Sequence, residues 1–279
     1  MKRIAILPDG RIATTSDSGD IDLWGPFSGD RIGRLVGHPP VDDDQPEVYA
    51  IAALPDGRLA SSDEDGSIRL WDVAHRKEIG RLHGHTGSVM SLAMLPDGRL
   101  ASGASDHTIR IWDLKRQQTG VCLEKIHVGS IDKLLPLPGG RLASGDGESG
   151  IMMLWDLCTN RFIEMMETYN GSVTAVDVLP DGLIVQGCYD NGIRFQDPTT
   201  HHLSEPMHGH KRPASALAVM TGNRLASAAF DKTLRIWSIP DRCEIECHKI
   251  GFVPGGMAQH PDGRLVICDT DSTLVIMQA

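Results

Sequence analysis

The sequence predicts an all-β chain in which seven repeated sheets pack around one axis. Three observations carry this. The five tryptophans, Trp24, Trp71, Trp112, Trp155 and Trp237, are separated by 47, 41, 43 and 82 residues, and the last gap is twice 41. A Pro-Asp-Gly turn recurs at Pro8, Pro55, Pro96, Pro180 and Pro261. Between these markers lie short apolar runs of strand length, bounded by turn residues.

Pro138-Gly139-Gly140 and Thr221-Gly222-Asn223 fill the two remaining turn slots, which makes seven units. Gln196 and Met277 stand at the tryptophan position of the fifth and seventh. Within the third unit, Ser88 to Leu95 is the inner strand. Pro96-Asp97-Gly98 then turns the chain: proline presets φ, aspartate caps locally, and glycine supplies positive φ. Arg99 to Gly103 forms the second strand, Ser105-Asp106-His107 the second turn, and Thr108 to Trp112 the third strand. The polar stretch Lys77 to Leu82 is the outer strand of the preceding unit. One such sheet cannot bury both faces, so the seven must stack radially.

Composition narrows the function classes. The 279 residues are 41% hydrophobic and 23% charged, which argues against disorder. They are expected to form one domain, residues 1–279. No apolar run approaches the roughly 18 residues of a membrane span, and no secretory leader is expected. With 27 Lys+Arg against 37 Asp+Glu, the formal net charge of -10 makes a general nucleic-acid binder a poor fit.

Gly84-His85, then Asp106 and Trp112-Asp113, resemble the Gly-His and Trp-Asp signature of the WD40 repeat family. Gly209-His210, Asp231 and Trp237-Ser238 form a second copy. The resemblance covers nearly the whole chain and implies a seven-bladed β-propeller. It also implies a non-catalytic scaffold that binds peptides or proteins on the face around a central channel.

Ser102, His85 and Asp106 could be a nucleophile, a base and an orienter. The WD40 resemblance implies instead a structural tetrad, in which His85, Asp106, Ser102 and the Trp112 indole are hydrogen bonded. His210, Ser227, Asp231 and Trp237 repeat it at the same spacing. Every blade needs bracing, whereas a second active site serves no need, and no Gly-x-Ser-x-Gly elbow accompanies either copy. Other blades depart from the pattern. Blade two has Ser61, Asp65 and Trp71, but an insertion from Pro39 to Pro46 separates them from His38. Blade one has Thr14 and Trp24, with Ser18 in the aspartate slot. Blade four keeps Ser144 and Trp155, and blades five and seven keep Asp190 and Asp271 but lose the tryptophan.

The same resemblance places three sets of residues at the channel mouth. The third residue of each inner strand is Lys2, Tyr49, Met90, Asp132, Thr174, Ser215 and Gly255. The residue before the second-turn aspartate slot includes Asp17, Glu64, Ser105, Tyr189, Phe230 and Thr270. The loops between blades add Asp42, Asp43, Asp44 and Glu47, with Lys211 and Arg212 in another. Tyr189 and Phe230 are the sharpest pair, because turns favour Gly, Asn, Asp and Ser and the chain has only 3 Tyr and 5 Phe. Beside Arg212 they would make a hot spot for a peptide. The acidic run from Val41 to Glu47 reads first as a solvated loop; it could also attract a partner with a basic segment, and its grouped carboxylates could take a calcium ion, although the spacing is not that of an EF-hand loop.

The six cysteines form no Cys-x-x-Cys pair, so reduced thiols and a cytoplasmic location are expected, with no metal and no cofactor. Two other functions compete with the scaffold. One is a sensor propeller of a larger signalling or defence protein. The other is a propeller hydrolase using Asp132, Asp42 and Asp44.

Seven four-stranded blades need 28 strands, and this sequence supplies 27. It starts on an inner strand at Lys2 and ends on a third strand. Blade seven is therefore expected to be three-stranded, with Thr273 to Met277 as an apolar edge open to strand addition.

Overall fold

The computed structural model of the chain describes residues 3–278, except 17, 28, 39–46, 117, 124–126, 147–149, 169–172 and 270–273. These residues form 26 strands and no helix. The strands fall into seven antiparallel sheets, the blades of a propeller, and the last blade is three-stranded.

Blade three shows how the repeat folds. Its strands are Val89–Met94, Leu100–Ala104, Ile109–Asp113 and Gln118–Cys122. Between the first two, Gly98 takes φ +86°, a conformation that a side chain would strain. Asp97 accepts the Arg99 backbone N–H at 3.0 Å and its Nε at 2.8 Å. The Asp–Arg clasp recurs at Asp9–Arg11, Asp56–Arg58 and Asp262–Arg264. In each case the partner arginine holds the carboxyl below its ordinary range, against the opposing effect of burial.

The blades stack face to face, and the apolar core lies in the seams between them. One seam packs Ile111, Leu123 and Ala101 of blade three against Leu142, Met153 and Trp155 of blade four. Similar clusters join one to two, two to three, four to five, five to six and six to seven. The seventh seam, between blades seven and one, is bridged by polar contacts. His260 Nε2 lies 2.9 Å from the Gly10 carbonyl, and Arg264 donates to the Phe27 carbonyl at 3.2 Å.

One expectation needs correction. Blade five has three strands, Val173–Val178, Ile184–Cys188 and Ile193–Gln196, not four. Its outer segment meets the third strand only at two isolated bridges, Ile193↔Met207 and Gln196↔Leu203. Between them, Ser204 Oγ accepts the Phe195 N–H at 3.0 Å in place of a carbonyl.

Candidate partner-binding face and the buried networks behind it

The Ser, His, Asp and Trp positions converge as a linear relay. In blade three the Trp112 indole N–H donates to Ser102 Oγ at 2.8 Å. His85 Nε2 is 2.7 Å from the same hydroxyl, and His85 Nδ1 is 2.9 Å from Asp106 Oδ2. Indole only donates, so a neutral His85 protonated on Nδ1 lets the serine proton point at Nε2 and satisfies every atom. Burial lowers the His85 pKa against the pull of Asp106, in keeping with that neutral form. Burial alone would raise the Asp106 carboxyl. Hydrogen bonds from Thr108, the Thr86 N–H and His85 outweigh it and bring the pKa down to about 2. Blade six repeats the relay through Trp237, Ser227, His210 and Asp231 at 2.7, 2.7 and 3.3 Å.

This geometry does not make a nucleophile. Ser102 and Ser227 are 0% exposed, and each oxygen is capped by an indole N–H. A substrate carbonyl has no route to them.

Two further relays lie in blades two and four, and they differ from the sequence reading. In blade two, His38 bonds Ser61 at 2.6 Å despite the insertion, and its Nδ1 takes Asp63 Oδ2 at 2.6 Å. Asp65, which the alignment placed in that slot, turns instead to the Ser67 N–H at 2.6 Å and to Arg69 at 3.3 Å. The buried Arg69 guanidinium lies within ion-pair distance of both carboxylates, which draws Asp65 toward it. In blade four the missing histidine is His127, 2.6 Å from Ser144, whose hydroxyl also takes the Trp155 N–H. A search for Gly-His overlooks it because Ile126 precedes it. The 17-residue interval from histidine to serine, shared with His85–Ser102 and His210–Ser227, would have found it.

The remaining blades change the network in matched pairs. Blade five has Gln186 and Gln196 in the serine and tryptophan slots, both buried, and Gln186 Nε2 donates to Gln196 Oε1 at 2.6 Å. Gln196 then donates to the Glu167 carbonyl at 2.9 Å. Blade seven has Ile267 and Met277 there, an apolar pair with no bond to make. Among the described residues, blade one keeps of the relay the Trp24 to Thr14 bond, at 2.8 Å.

The inner strands enclose the central channel, a cavity of about 320 Å³. Met90, Asp132, Thr174, Ser215 and Gly255 all line it. Each is the extra residue of a β-bulge in its inner strand, skipped by the pairing with the second strand. Bulges re-aim side chains and often border functional sites. Thr174 and Ser215 use their hydroxyls on carbonyls of the next blade, Ala214 at 2.6 Å and Pro254 at 2.9 Å. Tyr49 does not line the channel. It is half-buried beside it, and its carbonyl accepts Arg3 Nε at 2.9 Å. Arg3 and Lys133, which sequence reasoning passed over, do line the cavity. Lys133 Nζ holds Asp132 at 3.0 Å. Burial lowers the Arg3 pKa, opposed by Asp132 and Glu47.

Around this opening, Tyr189 is 68% and Phe230 36% exposed, and Glu64 and Arg212 are exposed as well. Among the described residues, no cation–π contact joins Arg212 to either ring; those recorded are Arg242 with Phe195 and Arg264 with Phe27. Lys2, Asp17, Asp42, Asp43, Asp44, Thr270, Asp271 and Thr273 lie outside the described residues. All six cysteines are free thiols. Among the described residues, no three His, Cys, Asp or Glu side chains are grouped to hold a metal ion. Among the described residues, no helix is long and apolar enough to cross a membrane.

Comparison with known proteins agrees with the architecture. The WD40 family, described as WD domain, G-beta repeat, matches residues 29–72, 76–113 and 202–238. The chain is 26% identical over 115 residues to the U3 small nucleolar RNA-associated protein 21 homolog of Schizosaccharomyces pombe, 38% of this chain and 13% of that one. It is 35% identical over 65 residues to the E3 ubiquitin-protein ligase COP1 of Arabidopsis thaliana, 22% of this chain and 9% of that one. It is 37% identical over 100 residues to periodic tryptophan protein 2 of Saccharomyces cerevisiae, 34% of this chain and 11% of that one. The matched regions thus span about a tenth of the length of these relatives. With the repeated His–Ser–Trp relays and seven radial sheets, the chain carries three segments that match the WD40 repeat model and is a seven-bladed β-propeller.

Proposed function

We propose that this propeller is a non-catalytic scaffold that binds a peptide or protein partner on the face around its central channel. The observation that supports it most is the contrast between the two kinds of repeat position. The buried His–Ser–Trp relay recurs with the same chemistry in four blades, two, three, four and six. The bulged positions at the channel carry Met90, Asp132, Thr174, Ser215 and Gly255, all different. Sites that serve the fold repeat, and sites that read a partner have no reason to. The exposed Tyr189 ring offers a large rigid contact in a turn, where packing does not require it.

A hydrolase is the weaker reading, because Asp132, its candidate acid, is ion-paired with Lys133. A sensor role within a larger protein would use the same face. A partner with a basic segment suits the net charge of -10 and the acidic run ending at Glu47. Six free thiols suit a reducing, cytoplasmic setting.

The test is affinity capture with mass spectrometry on the wild type and on the double variant Tyr189→Ala, Phe230→Ala. The expected result is loss of specific partners from a variant that melts at the wild-type temperature. A folded variant that retains every partner overturns this site.

A further inference from the structure

Four cations share one end of blade six, in a chain of net charge -10. Lys211 and Arg212 lie in the loop that enters its inner strand, Ala214–Met220. Lys232 lies in the turn between its second and third strands, and Lys249 ends its outer strand, Cys243–Lys249. All four are exposed. Backbone bonds hold these segments together. The Lys211 N–H donates to Asp231 at 2.8 Å, the Phe230 N–H to the Pro213 carbonyl at 3.1 Å, and the Ile250 N–H to the Lys232 carbonyl at 3.0 Å. Phe230, 36% exposed, belongs to the same turn as Lys232. Ser215, just past Arg212, lines the channel, so the cluster borders the face already described.

No carboxylate answers these charges. Among the described residues, none of the four side chains makes an ion pair, and the four acids of blade six are engaged elsewhere. Asp231 holds His210 and accepts the Thr233 hydroxyl and N–H at 2.6 and 3.0 Å. Asp241 takes the Ser238 hydroxyl, Glu244 pairs with Arg235, and Glu246 pairs with His248.

The fold does not call for these cations either. At the loop positions of Lys211 and Arg212, blade three has Thr86 and Gly87, blade four Val128 and Gly129, and blade seven Gly251 and Phe252. Lys232 has φ +61° at a turn position that Gly19, Gly66 and Asn191 fill in other blades. A left-handed residue favours glycine or asparagine, so the turn itself does not select lysine. Single exposed lysines are ordinary, but four unanswered charges on one blade set up a local positive potential on an otherwise acidic chain.

We propose that this cluster binds a short acidic segment of a partner peptide. Its aspartate or glutamate carboxylates meet Lys211, Arg212, Lys232 and Lys249, and an apolar side chain beside them packs on Phe230. A nucleic-acid backbone fits less well, because its phosphates would run beyond blade six onto acidic surface. The assignment deepens the channel-face reading and rests on it. The basic segment proposed above belongs to a different part of that face, toward Glu64 in blade two.

The test selects displayed random peptides on the full chain and titrates the selected ones, fluorescently labelled, onto wild type and variants. The triple variant Lys211→Thr, Arg212→Gly, Lys232→Asn takes each replacement from another blade. It keeps the turn and the relay, since the Thr86 N–H bonds Asp106 at 3.0 Å as the Lys211 N–H bonds Asp231. The expected result is enrichment of Asp and Glu around an apolar residue, with binding about tenfold weaker to a triple variant that melts with the wild type. Selected peptides that lack acidic enrichment, or that bind the triple variant at full strength, overturn the proposal. If the double variant Tyr189→Ala, Phe230→Ala abolishes binding of those same peptides, the channel-face reading stands without it. If wild type selects no peptide, both fall. Oligouridylate that binds more tightly than the selected peptides, and loses its binding in the triple variant, overturns the peptide assignment in favour of RNA.

Discussion

Gln186 and Gln196 form a buried amide pair in blade five, at 2.6 Å, where other blades place serine against tryptophan. Each glutamine alone would strand a polar group in the core. Together they pass the hydrogen bond on to the Glu167 carbonyl, and among the described residues Gln186 Oε1 alone of the pair's amide atoms is left without a partner. Blade seven meets the same geometric need with Ile267 and Met277, which lie one layer apart in strands paired through Val266↔Ile276. The slots tolerate polar with polar or apolar with apolar, because an unpaired buried polar group is what costs free energy.

Gln196→Leu should therefore destabilise the chain by about 1–3 kcal/mol, since it leaves the Gln186 amide and the Glu167 carbonyl unpaired. The double variant Gln186→Ile, Gln196→Met copies the blade-seven pair and should recover part of that loss. Urea unfolding of the single and double variants, read as a cycle, measures the coupling. Strict additivity would contradict the pairing.

Blade two separates the two candidate aspartates. Asp63→Ala should cost about 1–3 kcal/mol, because it strands the buried His38 Nδ1. Asp65→Ala should cost less, because Asp65 is partly exposed and Arg69 retains Glu78 at 3.1 Å. Equal losses in thermal unfolding of the two variants would restore the aligned assignment.

Stability should fall on acidification in two windows. Burial lowers the pKa of His85, His127 and His210 from the ordinary 6.5. As pH drops through 6.5 the unfolded chain takes up protons that the folded histidines refuse, so stability falls. The Asp106 carboxyl, at about 2 against an ordinary 3.8, adds a second loss as pH falls through that interval. Denaturation midpoints from pH 8 to pH 3 check the sign. A midpoint that rises on acidification from pH 7 to pH 5 would refute the neutral relays.

His260→Ala tests ring closure. Its imidazole fills the space beside Gly10 and meets that carbonyl at 2.9 Å across the seam of blades seven and one. The variant should lose about 1 kcal/mol, with faster hydrogen exchange concentrated in those two blades. Exchange that rises uniformly around the ring would show that this seam is no weaker than the rest.

Part of the candidate site was legible in the sequence. The channel-lining positions Met90, Asp132, Thr174, Ser215 and Gly255 follow from counting along each repeat, and all five reach the cavity. Lys133 was not legible, because the bulge at Asp132 lets the following residue reach the channel as well. Tyr49 fails the same count, since the cavity is lined one residue later in blade two, from Ala50.

By itself the sequence determined the number of blades, the turns and two complete relays, because each is set by local chemistry repeated at a fixed interval. Pro-Asp-Gly makes the same turn wherever it occurs, and a 17-residue interval returns histidine to serine whenever no insertion intervenes. Only the tertiary structure decided which aspartate His38 takes, that Gln186 finds Gln196, and that blade five stops at three strands. Those outcomes depend on competition among neighbours: Arg69 pulling on two carboxylates, two side-chain amides meeting in one core layer, and the Ser204 hydroxyl standing in for a ladder carbonyl. Such contests are settled by distances in space, which the order of residues does not state.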